Sequence, residues 1–318
     1  MKLAILRGSS EIGGSCVKIT SGESSIIIDM GLPLYDKNGK RFDKKQAATV
    51  LPDVPGLYTK PYVDAILISH AHEDHYGLVY YSSKEIPIYA GRGTRMLMGI
   101  SGILYGNKIP DSRFYEIKDR EPFKIGPFEI TPHIVDHSAY ESMSFLISAE
   151  GKNVFYSGDF RTYGPRKWIF EEFIKEYKTK TDALLLEGTM IGGKGRDFDS
   201  EDEVLDRLTE ELSKPYDRLT FAAYSSQNIG RFVSMYKACL KTKKTLVIDP
   251  YGAYILDTIS KTNKKIPSPL ANNLKIYCVS NRVSGEIFKI PGTKKYGRNK
   301  IALANILANP GKYVITDR

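Results

Sequence analysis

Residues 70–75 hold three of the five histidines of this 318-residue chain and directly follow residues 63–69, an apolar segment typical of a buried strand. His70 therefore leaves the end of a strand, and His72 turns its ring to the same side where the extended geometry continues. Neutral imidazole and carboxylate are groups that zinc accepts. The alternative is a polar loop in which the histidines cap backbone groups. So dense a cluster favours metal, and two pairs of ligands on one short loop suggest two ions.

The two remaining histidines, His133 and His137, lie in a second segment that begins as a strand. Every histidine of the chain therefore lies at or near one proposed site. Two further apolar strands end in an acid, Asp159 in one case and Glu187 in the other. An acid at a strand end is otherwise commonly a helix cap. Asp29, ahead of Gly31, either orients the metal loop from behind or satisfies the amides of a turn.

The sequence His70-Ala71-His72-Glu73-Asp74-His75 resembles the HxHxDH signature of the metallo-β-lactamase superfamily, which is specific for the fold and weak for the substrate. The resemblance implies an α/β fold, an αββα sandwich, with two zinc ions (Zn2+), or Mn2+ as the alternative. It also implies the ligands: one ion is held by His70, His72 and His137, Asp74 and His75 help to hold the other, and Asp159 bridges them. His133 is then structural or lies behind the ligands.

A second resemblance concerns substrate. The segment Glu187-Gly188-Thr189 resembles the first acidic motif of the ribonuclease J-like β-CASP branch, which processes nucleic acids. In that branch Glu187 would act at the catalytic site by orienting a ligand histidine through a hydrogen bond, and Ser138 belongs to the Asp-His-Ser motif that contacts substrate. A turn before a helix offers groups that suit a phosphate, although Ser and Asn are also ordinary caps; these groups are Ser225, Ser226, Asn228 and Arg231.

The order of predicted elements indicates two domains. Strands and helices alternate up to a glycine-rich, charged stretch at residues 192–199, and alternate again beyond it as in a parallel sheet. We expect a metallo-β-lactamase domain at residues 1–195 and an inserted β-CASP domain at residues 196–318. Ser200 and Glu203 form a capping box that predicts a helix start. A helix is also expected over residues 77–81.

The charge is uneven along the chain. The net charge is +9, but residues 231–318 contain 17 Lys and Arg against 4 Asp and Glu. A basic end joined to a metal-bearing part suggests a polyanionic substrate, unless the lysines only solvate a surface. Three widely spaced cysteines, without CxxC, favour free thiols. With neither a signal peptide nor a membrane span in the sequence, we expect a cytoplasmic protein; homodimerisation stays open.

These features favour a zinc-dependent phosphodiesterase acting on RNA or another single-stranded nucleic acid. By the resemblance, a hydroxide between the ions attacks phosphorus, and Asp74 steers it or accepts its proton. The alternatives are a catalytically weak RNA-binding or scaffold subunit, and a small-ester or thioester hydrolase of the same superfamily. β-CASP proteins return to their first domain and supply a last histidine there. Here none follows His137, so either the sequence is a fragment, which we expect, or the second metal site is incomplete.

Overall fold

The computed structural model describes residues 1–36, 38–106, 108–177, 181–192, 198–279 and 282–317. The chain forms two compact units. The first comprises Met1–Gly102, Gly106–Thr162 and Arg166–Lys194, and the second comprises Ile103–Tyr105, Tyr163–Pro165 and Gly195–Arg318. The assignment of residues 1–195 and 196–318 to two named domains stays a prediction.

The first sheet of unit 1 has six strands in sequence order, β1 to β6. Its first three strands pair antiparallel, and the remaining pairs are parallel. The central strand β4 is fully buried because it is apolar on both faces, as is usual where a parallel sheet is covered on both sides. The strands are β1 Lys2–Arg7, β2 Cys16–Ser21, β3 Ser24–Ile28, β4 Ala65–Ile68, β5 Ile88–Gly91 and β6 Phe114–Ile117.

The second sheet of unit 1 has the order β11-β10-β9-β8-β7. Its pairs are antiparallel except for β10 with β11, which is parallel. Strands β7 and β8 form a hairpin around Gly126, and β6 and β9 were not predicted from the sequence. The strands are β7 Phe123–Ile125, β8 Phe128–Ile134, β9 Met143–Ala149, β10 Lys152–Tyr156 and β11 Ala183–Leu185.

The two sheets of unit 1 pack face to face over one apolar core. Side chains from both sheets form a continuous buried cluster that includes Ile26, Leu67, Phe128 and Phe145. Helix α2 is Arg92–Tyr105, and α3 is Trp168–Tyr177. On the other side of the second sheet, Phe173 of α3 packs against Phe155. These layers agree with the expected sandwich.

The turn after β4 differs from the prediction of a helix over residues 77–81. A short helix, α1, runs instead over Glu73–Tyr76, and a 3-10 turn follows at Val79–Tyr81. Acidic side chains in the first turn favour a helix start at Glu73. The carbonyl of Glu73 also accepts the amide of Leu32, a contact distant in sequence that no local pattern reveals. The described part of residues 32–61 is irregular apart from one 3-10 turn, Lys44–Val50.

Unit 2 contains a parallel sheet of order β12-β15-β13-β14, which confirms the alternation predicted from sequence. The strands are β12 Thr220–Ala223, β13 Thr245–Ile248, β14 Leu274–Ile276 and β15 Tyr313–Asp317. The helices are α4 Glu201–Ser213, α5 Ile229–Lys241, α6 Pro250–Ile259, α7 Arg282–Lys289 and α8 Leu303–Ala308. Helix α4 starts at the predicted capping box, in which Ser200 Oγ accepts the amide of Glu203.

The described residues show the state of the cysteines and the character of the helices. Cys16 and Cys239 are buried free thiols, and Cys278 is half-buried and also free. Within the ranges that the structure describes, no helix combines the length and the apolar character needed to cross a membrane.

Candidate metal centre

The proposed site lies at the carboxyl end of β4. This strand is Ala-Ile-Leu-Ile, so it is held in the core, and the chain turns polar as soon as it leaves the sheet. His70 follows two residues later and is fully buried. His72 occupies the N-cap position of α1, without a capping hydrogen bond from its side chain, and Asp74 and His75 follow on one turn of helix. A rigid strand followed by a single helical turn therefore carries four of the six predicted ligands.

The ligand atoms form two sets, and Asp159 faces both. His70, His72 and His137 make one set, while His70, His75 and Asp159 make the other; within each set all ligand atoms lie within 4.8 Å of one another. Asp159 Oδ1 is 3.2 Å from His75 Nε2. Its Oδ2 is 3.9 Å from His70 Nε2 and 3.8 Å from His137 Nε2. A carboxylate placed in this way suits a bridge between two cations.

Asp74 lies beside the second set. Its Oδ2 is 4.0 Å from His75 Nε2, and its side chain is 17% exposed. Burial raises the pKa of this carboxyl, although the neighbouring His75 acts in the opposite direction. Asp74 is therefore near enough to reach an ion held by His75 and Asp159, and it faces the open side of the site.

The donor set fits a metal ion. His70 Nε2 is buried and, among the described residues, has no hydrogen-bond partner, although its other ring nitrogen is 3.0 Å from Ser69 Oγ. An orphaned buried nitrogen is costly unless something binds it. Burial lowers the pKa of His70 well below its usual value, and lowers that of His72 to about 4 and that of His137 to about 3. These imidazoles are thus neutral near pH 7, the form that binds metal.

His75 differs from the other three because carboxylates surround it. Burial by itself would lower its pKa, but Asp29 and Asp159 together raise that pKa well above its usual value. The same contact acts on Asp159, where burial is outweighed by hydrogen bonding to His75 and the pKa falls to about 2. The imidazole of His75 and the carboxylate of Asp159 therefore attract each other strongly. A metal cation bound between them would replace this attraction.

Asp29 supports the ligands from behind. It is fully buried, and its backbone has φ +57°, a conformation that aspartate tolerates better than most residues. One carboxylate oxygen accepts the amide of Ser69, and the other accepts the hydroxyl of Tyr156 and lies 2.7 Å from His75 Nδ1. The sequence left two roles open for Asp29, and the structure shows both: it satisfies a turn amide and orients a ligand imidazole.

Glycines let the loops approach the ligand helix. A Cβ on Gly31 would lie 1.7 Å from the carbonyl oxygen of Asp74, so no side chain fits there. A Cβ on Gly13 would lie 2.8 Å from Asp74 Cβ, and this glycine also has φ +77°. The loop before β2 and the loop after β3 therefore pack directly against the turn that carries Asp74.

Glu187 makes contacts other than the one anticipated. Its carboxylate accepts the amide of Phe160 at 3.3 Å and that of Thr189 at 3.1 Å. Within the described residues, its hydrogen bonds go to main-chain amides and none to a histidine. Because Phe160 directly follows Asp159, Glu187 helps to hold the loop after β10, which carries the predicted bridging carboxylate. A catalytic role for Glu187 stays a prediction.

The other candidates of unit 1 lie around the same ligands. Ser138 Oγ is 3.5 Å from a ring nitrogen of both His72 and His137. His133 lies outside both ligand sets, is 3% exposed and packs against the ring of Phe173, in agreement with a structural role. A cleft of about 900 Å³ opens beside the site; its lining includes Ser9, Glu11, Asp74, His75, Asp159, Glu187 and Thr189.

The predicted phosphate-binding turn lies in unit 2. Asn228 caps α5 by accepting the amide of Arg231, and Ser225 Oγ accepts the amide of Gln227. The Arg231 guanidinium donates to both carboxylate oxygens of Glu201, at 2.9 and 3.3 Å. Asn228 thus makes the ordinary capping contact, and Arg231 is committed to an acid. Substrate binding by Ser225, Ser226, Asn228 and Arg231 stays a prediction.

Comparison with known proteins agrees with the fold. Residues 41–198 match the sequence model of the Beta-lactamase superfamily domain. Ribonuclease J of Helicobacter pylori (strain ATCC 700392 / 26695) is 26% identical over 257 residues, which is 78% of this chain and 36% of that protein. Transcription termination factor FttA of Methanosarcina mazei is 27% identical over 211 residues, 59% of this chain and 31% of that protein. The chain thus spans about a third of the length of these relatives.

A solved structure from Enterococcus faecalis V583, a protein of unknown function, covers 99% of this chain and 76% of its own. The TM-score is 0.78 at 21% identity, so this likeness shows the fold alone. With the matched domain and the two ligand sets, the chain belongs to the metallo-β-lactamase superfamily. Within that superfamily its sequence is similar to ribonuclease J and to transcription termination factor FttA.

Proposed function

We propose that this chain is a zinc-dependent phosphodiesterase that hydrolyses RNA at a two-metal site. The observation that carries the proposal is the position of Asp159, whose two oxygens face the two ligand sets. We propose hydrolysis because a metal centre of this kind is common in the metallo-β-lactamase superfamily. RNA as the substrate rests on the similarity to ribonuclease J, of which the chain covers about a third.

The chain offers ligands for both ions. His70, His72 and His137 would hold one ion, and His75, Asp74 and Asp159 would hold the other. Nitrogen and carboxylate oxygen donors suit Zn2+, and Mn2+ is the alternative. Bound there, the two ions would supply Lewis acidity at a phosphoryl group and a lowered pKa for water.

The protein's own groups have distinct tasks in this proposal. Asp74 faces the cleft, where its carboxylate would steer the attacking water or accept its proton. Glu187 keeps the end of β10 in place through Phe160. The hydroxyls of Ser9 and Thr189 line the cleft and would donate hydrogen bonds to phosphate oxygens.

We attribute RNA binding to positively charged side chains and not to the recognition of bases. Residues 231–318 carry 17 basic against 4 acidic side chains, so they would attract a phosphate backbone without reading its sequence. The turn at Ser225, Ser226 and Asn228 would add phosphate contacts, with Arg231 shaping it through Glu201. A cytoplasmic location and a homodimer also stay predictions.

The test is metal content by elemental analysis read together with cleavage of an end-labelled single-stranded RNA. Two zinc ions with cleavage in the wild type, and loss of both in His72→Ala, would support the proposal. His133→Phe is the matched control, since it removes the one histidine outside the ligand sets and keeps a ring against Phe173. It should keep both metal and cleavage.

Other results would point elsewhere. RNA bound but left intact by the zinc-loaded protein would overturn the nuclease proposal in favour of a binding or scaffold role. Cleavage of a small ester or thioester, without any salt-dependent affinity for RNA, would favour the small-molecule hydrolase. The same RNA sequence made as DNA distinguishes the two nucleic acids.

A further inference from the structure

Two residues next to metal ligands form a buried ion pair. Asp136 directly precedes His137, and Arg161 comes two residues after Asp159. Arg161 Nε lies 3.1 Å from Asp136 Oδ1. Asp136 is 3% exposed and Arg161 is 9% exposed, so both charges are removed from water. Burying charges in this way is costly unless they are paired and hydrogen-bonded.

The main chain reinforces the pair. The amide of Arg161 donates to the carbonyl oxygen of Asp136 at 2.7 Å. The second carboxylate oxygen of Asp136 accepts the amide of Arg166 at 2.6 Å. Asp136 therefore holds the loop after β10 at two amides and one guanidinium. A shift of that loop would break three contacts together.

This connection joins the two halves of the metal centre. His137 belongs to the first ligand set and Asp159 to the second, and they come from loops that follow different strands. Asp159 Oδ2 and His137 Nε2 are 3.8 Å apart, a distance that depends on both loops.

We propose that Asp136 and Arg161 are a positioning pair that fixes the separation of His137 and Asp159 and so keeps both metal positions ready to bind. The inference rests on the two-metal site of the proposed function. Neither residue is a catalytic residue, because both lie behind the ligands and act through them. Partners of this kind typically change metal affinity about 10- to 100-fold when they are removed.

A merely structural ion pair would behave differently. It would stabilise unit 1 against unfolding but leave the zinc affinity of the folded protein unchanged. Arg113 provides the comparison, since it is 6% exposed and donates to the carbonyl of Ile86 and the hydroxyl of Ser82, away from the ligand loops. Replacing it removes a buried guanidinium of the same kind.

The experiment measures zinc affinity by competition with a chromophoric chelator, at a temperature where each variant is folded, together with the melting temperature of the chelator-treated protein. Asp136→Asn and Arg161→Gln should each weaken zinc binding about 10- to 100-fold. The double variant should be no weaker than the worse single variant, because both changes break one connection. Arg161→Lys keeps the charge and should retain more zinc affinity than Arg161→Gln.

Arg113→Gln should lower the melting temperature and leave zinc affinity at the wild-type value. Wild-type zinc affinity in folded Asp136→Asn and Arg161→Gln would overturn the inference, as would additive losses in the double variant. If Arg161→Gln fails to fold, Arg161→Lys and Asp136→Asn carry the test. Zinc-loaded wild type that does not cleave RNA would refute the proposed function and leave this result standing, since affinity is measured without RNA.

Discussion

His75 Nδ1 lies 2.7 Å from Oδ2 of Asp29, a carboxylate that no solvent reaches. The ring nitrogen opposite to this contact faces Asp159, so Asp29 determines which nitrogen of His75 is offered to a metal. A carboxylate behind a ligand imidazole also makes that imidazole a better donor. The second ligand set is thus prepared by a residue 46 positions earlier in the chain.

Asp29→Asn should weaken zinc binding about 10- to 100-fold, because the charge behind His75 is lost. Asparagine tolerates the positive φ of this position, so the backbone should be preserved. Asp64→Asn is the matched control, as Asp64 accepts only a main-chain amide, that of Ser25, in the contacts shown. Equal zinc affinities for Asp29→Asn and the wild type, in a chelator competition, would contradict the role assigned to Asp29.

Gly31→Ala should abolish zinc binding or prevent folding, since the new Cβ would fall 1.7 Å from the Asp74 carbonyl oxygen. Gly99→Ala is the control: Gly99 lies within α2, and its Cβ would meet no atom within 4 Å. That change should raise the free energy of unfolding by about 0.5–1 kcal/mol. Urea denaturation with and without zinc measures both. A Gly31→Ala protein with normal stability and zinc content would refute the packing argument.

His133→Phe should make the protein less sensitive to acid. Burial lowers the pKa of His133 to about 4, so the folded state disfavours its protonation. The stability that depends on neutral His133 is therefore complete above pH 6.5 and is lost as the pH falls towards 4. At pH 5 the wild type should lose about 2 kcal/mol more than the variant, relative to pH 8.

Urea denaturation of the metal-free proteins at both pH values checks this difference. The other four histidines are common to both proteins, so their contributions cancel in the comparison. An equal loss of stability in the two proteins on going from pH 8 to pH 5 would show that His133 is charged in the folded state.

Asn228→Asp separates capping from phosphate binding at the start of α5. Aspartate caps a helix as well as asparagine does, so the free energy of unfolding should not fall. Its negative charge would repel a phosphate, so affinity for a labelled single-stranded RNA should drop if this turn contacts the backbone. Fluorescence anisotropy gives the affinity. Unchanged RNA binding by a stable Asn228→Asp protein would remove the turn from the binding surface.

The sequence was informative where one short segment carries both the pattern and the chemistry. Residues 70–75 gave four ligand candidates because a buried strand and its polar end are adjacent in the chain. The parallel sheet of unit 2 followed from regular alternation, and α4 from its capping box. Each of these signals lies in residues that are neighbours in the chain, so it can be recognised without the tertiary structure.

The features that sequence analysis missed depend on contacts between distant residues. Strand β9 was not predicted, and its place between β8 and β10 depends on pairing with both of them. Helix α1 begins at Glu73 because loops far away in sequence bind its carbonyls. The partners of Glu187 and of Asp136 are side-chain and main-chain groups about 25 to 30 positions away, beyond any periodicity that a sequence reveals.

The proposed ligands of the metal centre come from three separate stretches of chain, around His72, at His137 and at Asp159. In an unfolded chain these groups are far apart, so zinc would bind the folded state in strong preference. The free zinc concentration would then set the apparent stability of unit 1, by an amount that grows with the logarithm of that concentration above the dissociation constant. A chelator would therefore lower the urea concentration at which unit 1 unfolds, and added zinc would raise it.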